Sequence, residues 1–221
     1  VLLNPTAVGY YVVARTISDI VTMPASSLGF TLSPVLGEQK AQEDVEGARR
    51  LYEEALVYTL LFYVPAAAGL ALVAEPVVIT IFGTDYLSAA LVVQILAAYT
   101  VIHSVNQITS DGLDYLGRAN TRAVAKVIMA IANVGLNFAL IPLLGVAGAA
   151  VATVVTYGCY TLYNVYVIYS ELAIEGRRIL RHGVHICAIT AAVVLVVLVA
   201  LPHVSGPVSL VGTVLAGGGV W

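Results

Sequence analysis

The stretch Gly9–Ser33, GYYVVARTISDIVTMPASSLGFTLS, decides how the rest of the chain is read. It is apolar and long enough for a bilayer crossing, which takes about 20 residues, yet it carries Arg15 and Asp19. Steps of three and four from Tyr11 reach Arg15, Ser18, Asp19, Thr22 and Ser26, which share one face of a helix. Much of the other side is Val12, Val13, Ile17, Ile20, Val21 and Leu28, while Thr16 and Ser27 fall off the pattern. A charge at mid-membrane costs about 2.5–3.5 kcal/mol on insertion scales, so it faces protein or a wet cavity rather than lipid. Two roles stay open. Arg15 and Asp19 neutralise each other and hold the fold, or Arg15 lines a polar cavity and meets an anionic group.

Composition places the rest of the chain in the same setting. It is 60% hydrophobic and 10% charged, with mean hydropathy +0.94. A soluble domain of this size needs more polar residues to cover its surface, so the class is an all-α, polytopic membrane helix bundle. Cys159 and Cys187 both fall in apolar spans and fit neither a disulfide framework nor a metal site. No basic segment with a cleavage site opens the chain at Val1, and Trp221 closes it inside an apolar run. The expectation is a fragment of a longer protein.

Seven spans follow from apolar length: the opening one, Ala55–Ala74, Leu87–Ile108, Val127–Leu144, Val146–Tyr169, Val184–Leu201 and a shortened Val208–Trp221. The connections alternate in charge. Residues 37–50, 111–126 and 170–183 hold Lys40, Arg49, Arg50, Arg118, Arg122, Lys126, Arg177, Arg178 and Arg181, whereas Glu75–Tyr86, Gly145 and Pro202–Pro207 hold no Lys or Arg. Basic loops stay on the cytoplasmic side, which sets the topology in a cell membrane with Val1 outside. Asp44–Glu54 reads as a short amphipathic lead-in capped by Asp44, its charges a solvated face. Pro24 is expected to kink the striped helix.

Three further spans carry polar rows at helical spacing: Thr100, His103, Gln107 and Ser110; Lys126, Asn133 and Asn137; and Thr153, Tyr157, Tyr160 and Asn164. Singly, such residues usually hydrogen-bond between helices, at about 0.6 kcal/mol per contact. Tyr166 and Tyr169 suit an interfacial aromatic belt, but Tyr157 lies about 18 Å of helix rise from Tyr169, too deep for one. Together the rows favour a shared polar cavity able to take a hydrophilic cargo. Candidate binding residues are Arg15, Asp19, His103, Gln107, Asn133, Asn137, Tyr157, Tyr160 and Asn164. Gly145, Gly148, Ala149 and Ala152 are small enough for close helix approach.

Enzyme motifs are absent: there is no HExxH, no phosphate loop and no Cys pair at ligand spacing. Asp111 and Asp114 are read as loop residues, not a metal site. No cofactor, metal or nucleic-acid partner is expected, and energy must come from an ion gradient, a potential or cargo flux.

The motifs VGYYVVAR (Val8–Arg15), FGTDY (Phe82–Tyr86), LGRAN (Leu116–Asn120) and NVGLNFALIPLLGVAGAAVAT (Asn133–Thr153) resemble the C-terminal half of polysaccharide-biosynthesis flippases. These are O-antigen-type translocases of the multidrug/oligosaccharidyl-lipid/polysaccharide superfamily. The likeness covers about Val8 to Tyr169. It implies fourteen helices in two six-helix lobes plus a terminal pair, with residues 1–169 forming most of the second lobe without its first helix. Residues 170–221 would then be a cytoplasmic loop and the extra pair. The cargo implied is a polyprenyl-diphosphate-linked oligosaccharide moved to the outer leaflet. The implied partners are that substrate, membrane lipids, a coupling ion (Na or H) and the missing N-terminal lobe of the same chain. Arg15 matches the family's Tyr-x-x-Ala-Arg helix and would meet the diphosphate. Asp19 is less typical there and would compete for the guanidinium. The alternatives are a cation-coupled multidrug antiporter using Asp19, a membrane glycan polymerase or transferase, and a structural membrane subunit.

Overall fold

The computed structural model describes residues 3–41, 44–172, 174, 176–203 and 206–218. They form seven α-helices: α1 (Pro5–Ala41), α2 (Val45–Phe82), α3 (Ala89–Tyr115), α4 (Ala119–Leu144), α5 (Val146–Leu172), α6 (Gly176–Ala200) and α7 (Pro207–Gly218). Five of them, α2 to α6, are long and apolar enough to span a membrane. With α1 and the shorter α7, the chain is an all-α polytopic membrane bundle of five to seven spanning helices. It is a multi-pass cell-membrane protein with its basic connections cytoplasmic. Of the expected features, the Ser26 side chain, the Lys40, Arg177 and Arg178 side chains and residues 219–221 lie outside the described residues.

The helices run further than hydropathy indicates. The polar stretches 37–50, 111–126 and 170–183 are mostly helix, with α1 reaching Ala41 and α2 starting at Val45. A lipid slab about 30 Å thick accommodates only about 20 residues of helix. The two long helices therefore project into water, where a helix no longer needs apolar side chains. Asp44 caps α2 by accepting from the Gly47 amide at 2.8 Å, and Glu46 pairs with Arg49 and Arg50 on the exposed side. Asp111 and Asp114 are helical rather than loop residues. Glu75–Tyr86 likewise is not a connection up to Phe82, because α2 continues through Pro65 and Pro76. A proline interrupts the ladder one turn upstream. Pro76 frees the Leu72 carbonyl, and beside it Gln94 Nε2 of α3 donates to the neighbouring Ala71 carbonyl at 3.3 Å.

The bundle is built around α3. On its outer half Val92, Val93, Leu96 and Ala97 pack with Ala14 and Ile17 of α1 and Leu70, Ala74 and Val78 of α2. On its cytoplasmic half Ile108 and Leu113 pack with Tyr52 and Leu56 of α2 and Ile168 of α5. A third apolar cluster joins Val73 of α2 to Val193 and Val197 of α6 and Leu210 of α7. α4 leans mainly on α5 and leaves Ile131, Val134, Phe138 and Leu143 exposed. Such a face is tolerable only against lipid or protein.

Inside the cytoplasmic core, Tyr52 is 1% exposed and its hydroxyl lies 2.9 Å from Thr109 Oγ1. The Thr109 proton goes to the Val105 carbonyl at 2.8 Å, so Tyr52 donates. Tyr52→Phe is expected to lower stability by about 1 kcal/mol, read as a reduced thermal midpoint of the purified full-length protein. An unchanged midpoint would show that the bond contributes nothing.

Candidate functional site

A polar cluster forms where α1, α3 and α5 meet, and it starts at Arg15. Arg15 Nε donates to Asp19 Oδ1 at 2.9 Å and Nη2 donates to the Tyr99 hydroxyl at 2.8 Å. The guanidinium carbon also sits 4.3 Å from the Tyr99 ring centroid, a cation–π contact of about 0.5–2 kcal/mol. Arg15 and Asp19 nevertheless keep 34% and 51% of their side-chain surface exposed. Both readings of the pair thus have a physical basis in one geometry. The carboxylate neutralises the cation, and the cation still presents a face to the outside of the bundle. The stripe's remaining members turn inward: Ser18 and Thr22 are buried and donate to carbonyls of their own helix.

From Tyr99 the network passes to α5. His103 Nδ1 lies 3.1 Å from the Tyr99 hydroxyl and 3.2 Å from the Tyr157 hydroxyl. Asn106 Nδ2 donates to Tyr157 at 3.0 Å, and Asn164 Nδ2 donates to Asn106 Oδ1 at 2.9 Å. Tyr160 is 2% exposed, its ring 5.7 Å from that of Tyr157. Nearer the outer end, Tyr11 meets Thr153 at 2.9 Å. The α5 row of Thr153, Tyr157, Tyr160 and Asn164 therefore lies along the face turned to α1 and α3.

Arg15, Asp19, His103, Tyr157, Tyr160 and Asn164 come together; Gln107, Asn133 and Asn137 stand apart. Gln107 Nε2 points toward the cytoplasmic end, donating to Asp111 Oδ2 at 3.1 Å. Asn133 Nδ2 donates to Thr156 Oγ1 at 2.9 Å, and Asn137 Nδ2 donates to Asn133 Oδ1 at 2.8 Å, all within the α4–α5 pair. At the cytoplasmic ends Arg122 Nε donates to Asp114 Oδ1 and Arg118 Nε to Glu171 Oε1. These bonds clamp α4 to its neighbours.

The row on α3 is rotated from the expected one. Thr100 is buried and donates to the Ala97 carbonyl, so the face toward Arg15 is Tyr99, His103 and Asn106, not Thr100, His103 and Gln107. Tyr99 and Asn106 were missed. The signal was available, since Tyr99, His103, Asn106 and Ser110 also step by four, three and four. An aromatic residue reads as core, however, and only its hydroxyl betrays the polar face.

The fold and this cluster define a polytopic membrane bundle with a charged polar network at the junction of three parallel helices. The sequence profile of the lipid II flippase MurJ family matches residues 3–217, and the chain belongs to that family. It is 23% identical over 146 residues to the probable low-salt glycan biosynthesis flippase Agl15 of Haloferax volcanii. It is 28% identical over 137 residues to the uncharacterized membrane protein MJ1068 of Methanocaldococcus jannaschii. The alignments cover 66% and 62% of this chain but 31% and 27% of those relatives. A solved lipid II flippase MurJ in an inward closed conformation shares the fold, with a TM-score of 0.75 at 16% identity over 97% of this chain and 45% of that one. The expected superfamily of oligosaccharide flippases is therefore the right one, with MurJ as the family within it.

Proposed function

We propose that this chain forms part of a flippase that moves a polyprenyl-diphosphate-linked oligosaccharide from the cytoplasmic to the outer leaflet for cell-surface glycan synthesis. The observation that carries the reading is the partly exposed Arg15 guanidinium, held by Asp19 and Tyr99 at the head of the α3–α5 network. A guanidinium offers a fork of donors that matches phosphate oxygens, strengthened in a low-dielectric site. On the far side of α1, an apolar groove of about 550 Å³ runs between α1, α2, α6 and α7, lined by Ile17, Ile20, Phe62, Val193 and Val214 among others. A lipid-linked anion needs both surroundings, one for its charge and one for its hydrocarbon chain.

In this reading residues 1–169 supply most of one six-helix lobe and residues 170–221 an additional pair. A preceding lobe of the same chain completes a fourteen-helix transporter around a central cavity. Arg15 and Asp19 border the cavity, with His103, Tyr157, Tyr160 and Asn164 behind them; Gln107, Asn133 and Asn137 line more distant parts. Transport draws on Na or H. The competing assignment is a cation-coupled exporter using Asp19, whose half-exposed carboxylate meets Arg15 through Oδ1.

Reconstituted full-length protein decides between them. The expected outcome is outward movement of a lipid-linked diphosphate oligosaccharide, read by its accessibility to an external glycan-modifying enzyme, with no efflux of cationic dyes. Gradient-driven dye efflux abolished by Asp19→Asn, with no lipid movement, would establish the exporter.

A further inference from the structure

We propose that His103 is a proton-binding site linked to anion binding at Arg15, so that each binding event strengthens the other. This rests on the reading of Arg15 as a diphosphate contact. The starting point is that one atom, His103 Nδ1, is approached by two phenol hydroxyls, Tyr99 at 3.1 Å and Tyr157 at 3.2 Å. Each phenol oxygen already receives a donor. Arg15 Nη2, which can only donate, sits 2.8 Å from Tyr99, and Asn106 Nδ2 sits 3.0 Å from Tyr157. With one lone pair on each phenol oxygen used in this way, the phenol protons are free to turn to Nδ1. A neutral imidazole with its proton on Nε2 offers a single lone pair there, too few for two donors.

Adding a proton changes this arrangement with no rearrangement of the helices. An N–H bond forms at Nδ1, the ring becomes a cation, and Nδ1 now donates to one of the phenol oxygens. The new charge lies close to the first one. The His103 ring stacks on Tyr99 with centroids 5.3 Å apart, and the Arg15 guanidinium carbon lies 4.3 Å from the same Tyr99 centroid. The facing charged and titratable groups are Tyr11, Arg15 and Asp19 on α1, Tyr99 on α3 itself, and Tyr157 and Tyr160 on α5, while Tyr63 on α2 is directed to Ser104 and the Ala25 backbone. Asp111 and Asp114 lie about 12 Å or more along α3, and Arg122 of α4, paired with Asp114, is within electrostatic reach of Tyr160. One carboxylate, Asp19, thus serves two cationic positions. A diphosphate arriving at Arg15 supplies the further negative charge and stabilises the proton on His103. By thermodynamic reciprocity the proton strengthens anion binding equally.

The test uses purified full-length protein and farnesyl diphosphate, titrated calorimetrically between about pH 5 and 8, where imidazole ordinarily changes charge. Buffers of different ionisation enthalpy report protons taken up. The expected result is that wild type binds about one proton more per ligand than His103→Gln, with an affinity advantage that fades by up to about tenfold per pH unit as pH rises. Comparing the two proteins cancels the ligand's own ionisation. Equal proton uptake and parallel pH profiles overturn the proposal while leaving Arg15 as an anion contact. Failure of wild type to bind in an Arg15-dependent way at any pH overturns both. Should His103→Gln not accumulate, wild type labelled with ¹⁵N-histidine gives the same answer. An imidazole midpoint that moves upward on adding farnesyl diphosphate supports the site, and midpoints that all stay in place refute it.

Discussion

Arg15→Ala is expected to cut transport by the full-length protein about 10- to 100-fold, the range set by losing a charge-assisted hydrogen bond of about 1.5–3 kcal/mol. Arg15→Lys keeps the charge but loses the fork that holds Asp19 and Tyr99 together, and a drop of about tenfold is expected. A purely structural ion pair predicts something else. Removing Arg15 alone leaves Asp19 uncompensated, so part of any loss comes from the orphaned carboxylate. The double variant Arg15→Ala with Asp19→Asn separates the two causes. If the pair only holds the fold, the double variant regains both stability and transport. If Arg15 meets the cargo, stability returns and transport does not. Full export by both single variants, at normal expression, would remove Arg15 from the substrate path.

Gly148→Ala is expected to destabilise the α4–α5 hairpin by about 1–3 kcal/mol, the usual range for forcing an extra group into a packed site. A Cβ at this position would collide with the Leu140 carbonyl oxygen and fall 2.6 Å from its carbon. Both are backbone atoms of the preceding helix, so no side chain can rotate away. The close approach is set by the turn: Gly145 has φ +59° and its amide caps α4 by donating to the Ile141 carbonyl at 2.8 Å. The first turn of α5 is thereby folded back on the last turn of α4. Gly135→Ala is the control, because nothing lies within 4 Å of its Cβ and alanine is the better helix former by about 1 kcal/mol. Thermal unfolding of the full-length protein in detergent should show a lowered midpoint for Gly148→Ala and an equal or raised one for Gly135→Ala. Equal midpoints for wild type and both variants would show that the hairpin yields without cost.

Much of the fold was legible because membrane proteins obey one-dimensional rules. Apolar runs of bilayer length located α2 to α6, and the split of Lys and Arg between alternate connections assigned their sides. Helix ends were less legible. Hydropathy reports where a segment meets lipid, whereas a helix stops where its backbone bonds stop. For α1 and α2 that lies well into residues 37–50. In the site, Arg15 and Asp19 were visible as charges that cannot face lipid, Tyr157 as a tyrosine too deep for an interfacial belt, and Asn164 as a member of its polar row. Their partners were not, since Tyr99 passes for a core aromatic until its hydroxyl is seen between a guanidinium and an imidazole.

By itself, then, the order of residues determined the class of protein, its orientation in the membrane and which helices carry polar faces, because each depends on local spacing and on transfer between water and lipid. Only the tertiary structure decided that α3 turns Tyr99 rather than Thr100 toward Arg15. It alone joined His103 to two phenols and kept Asn133 and Asn137 out of that network. Adjacent helical faces differ by about 100° of rotation and satisfy the same periodicity. The choice between them is made by packing against helices distant in sequence.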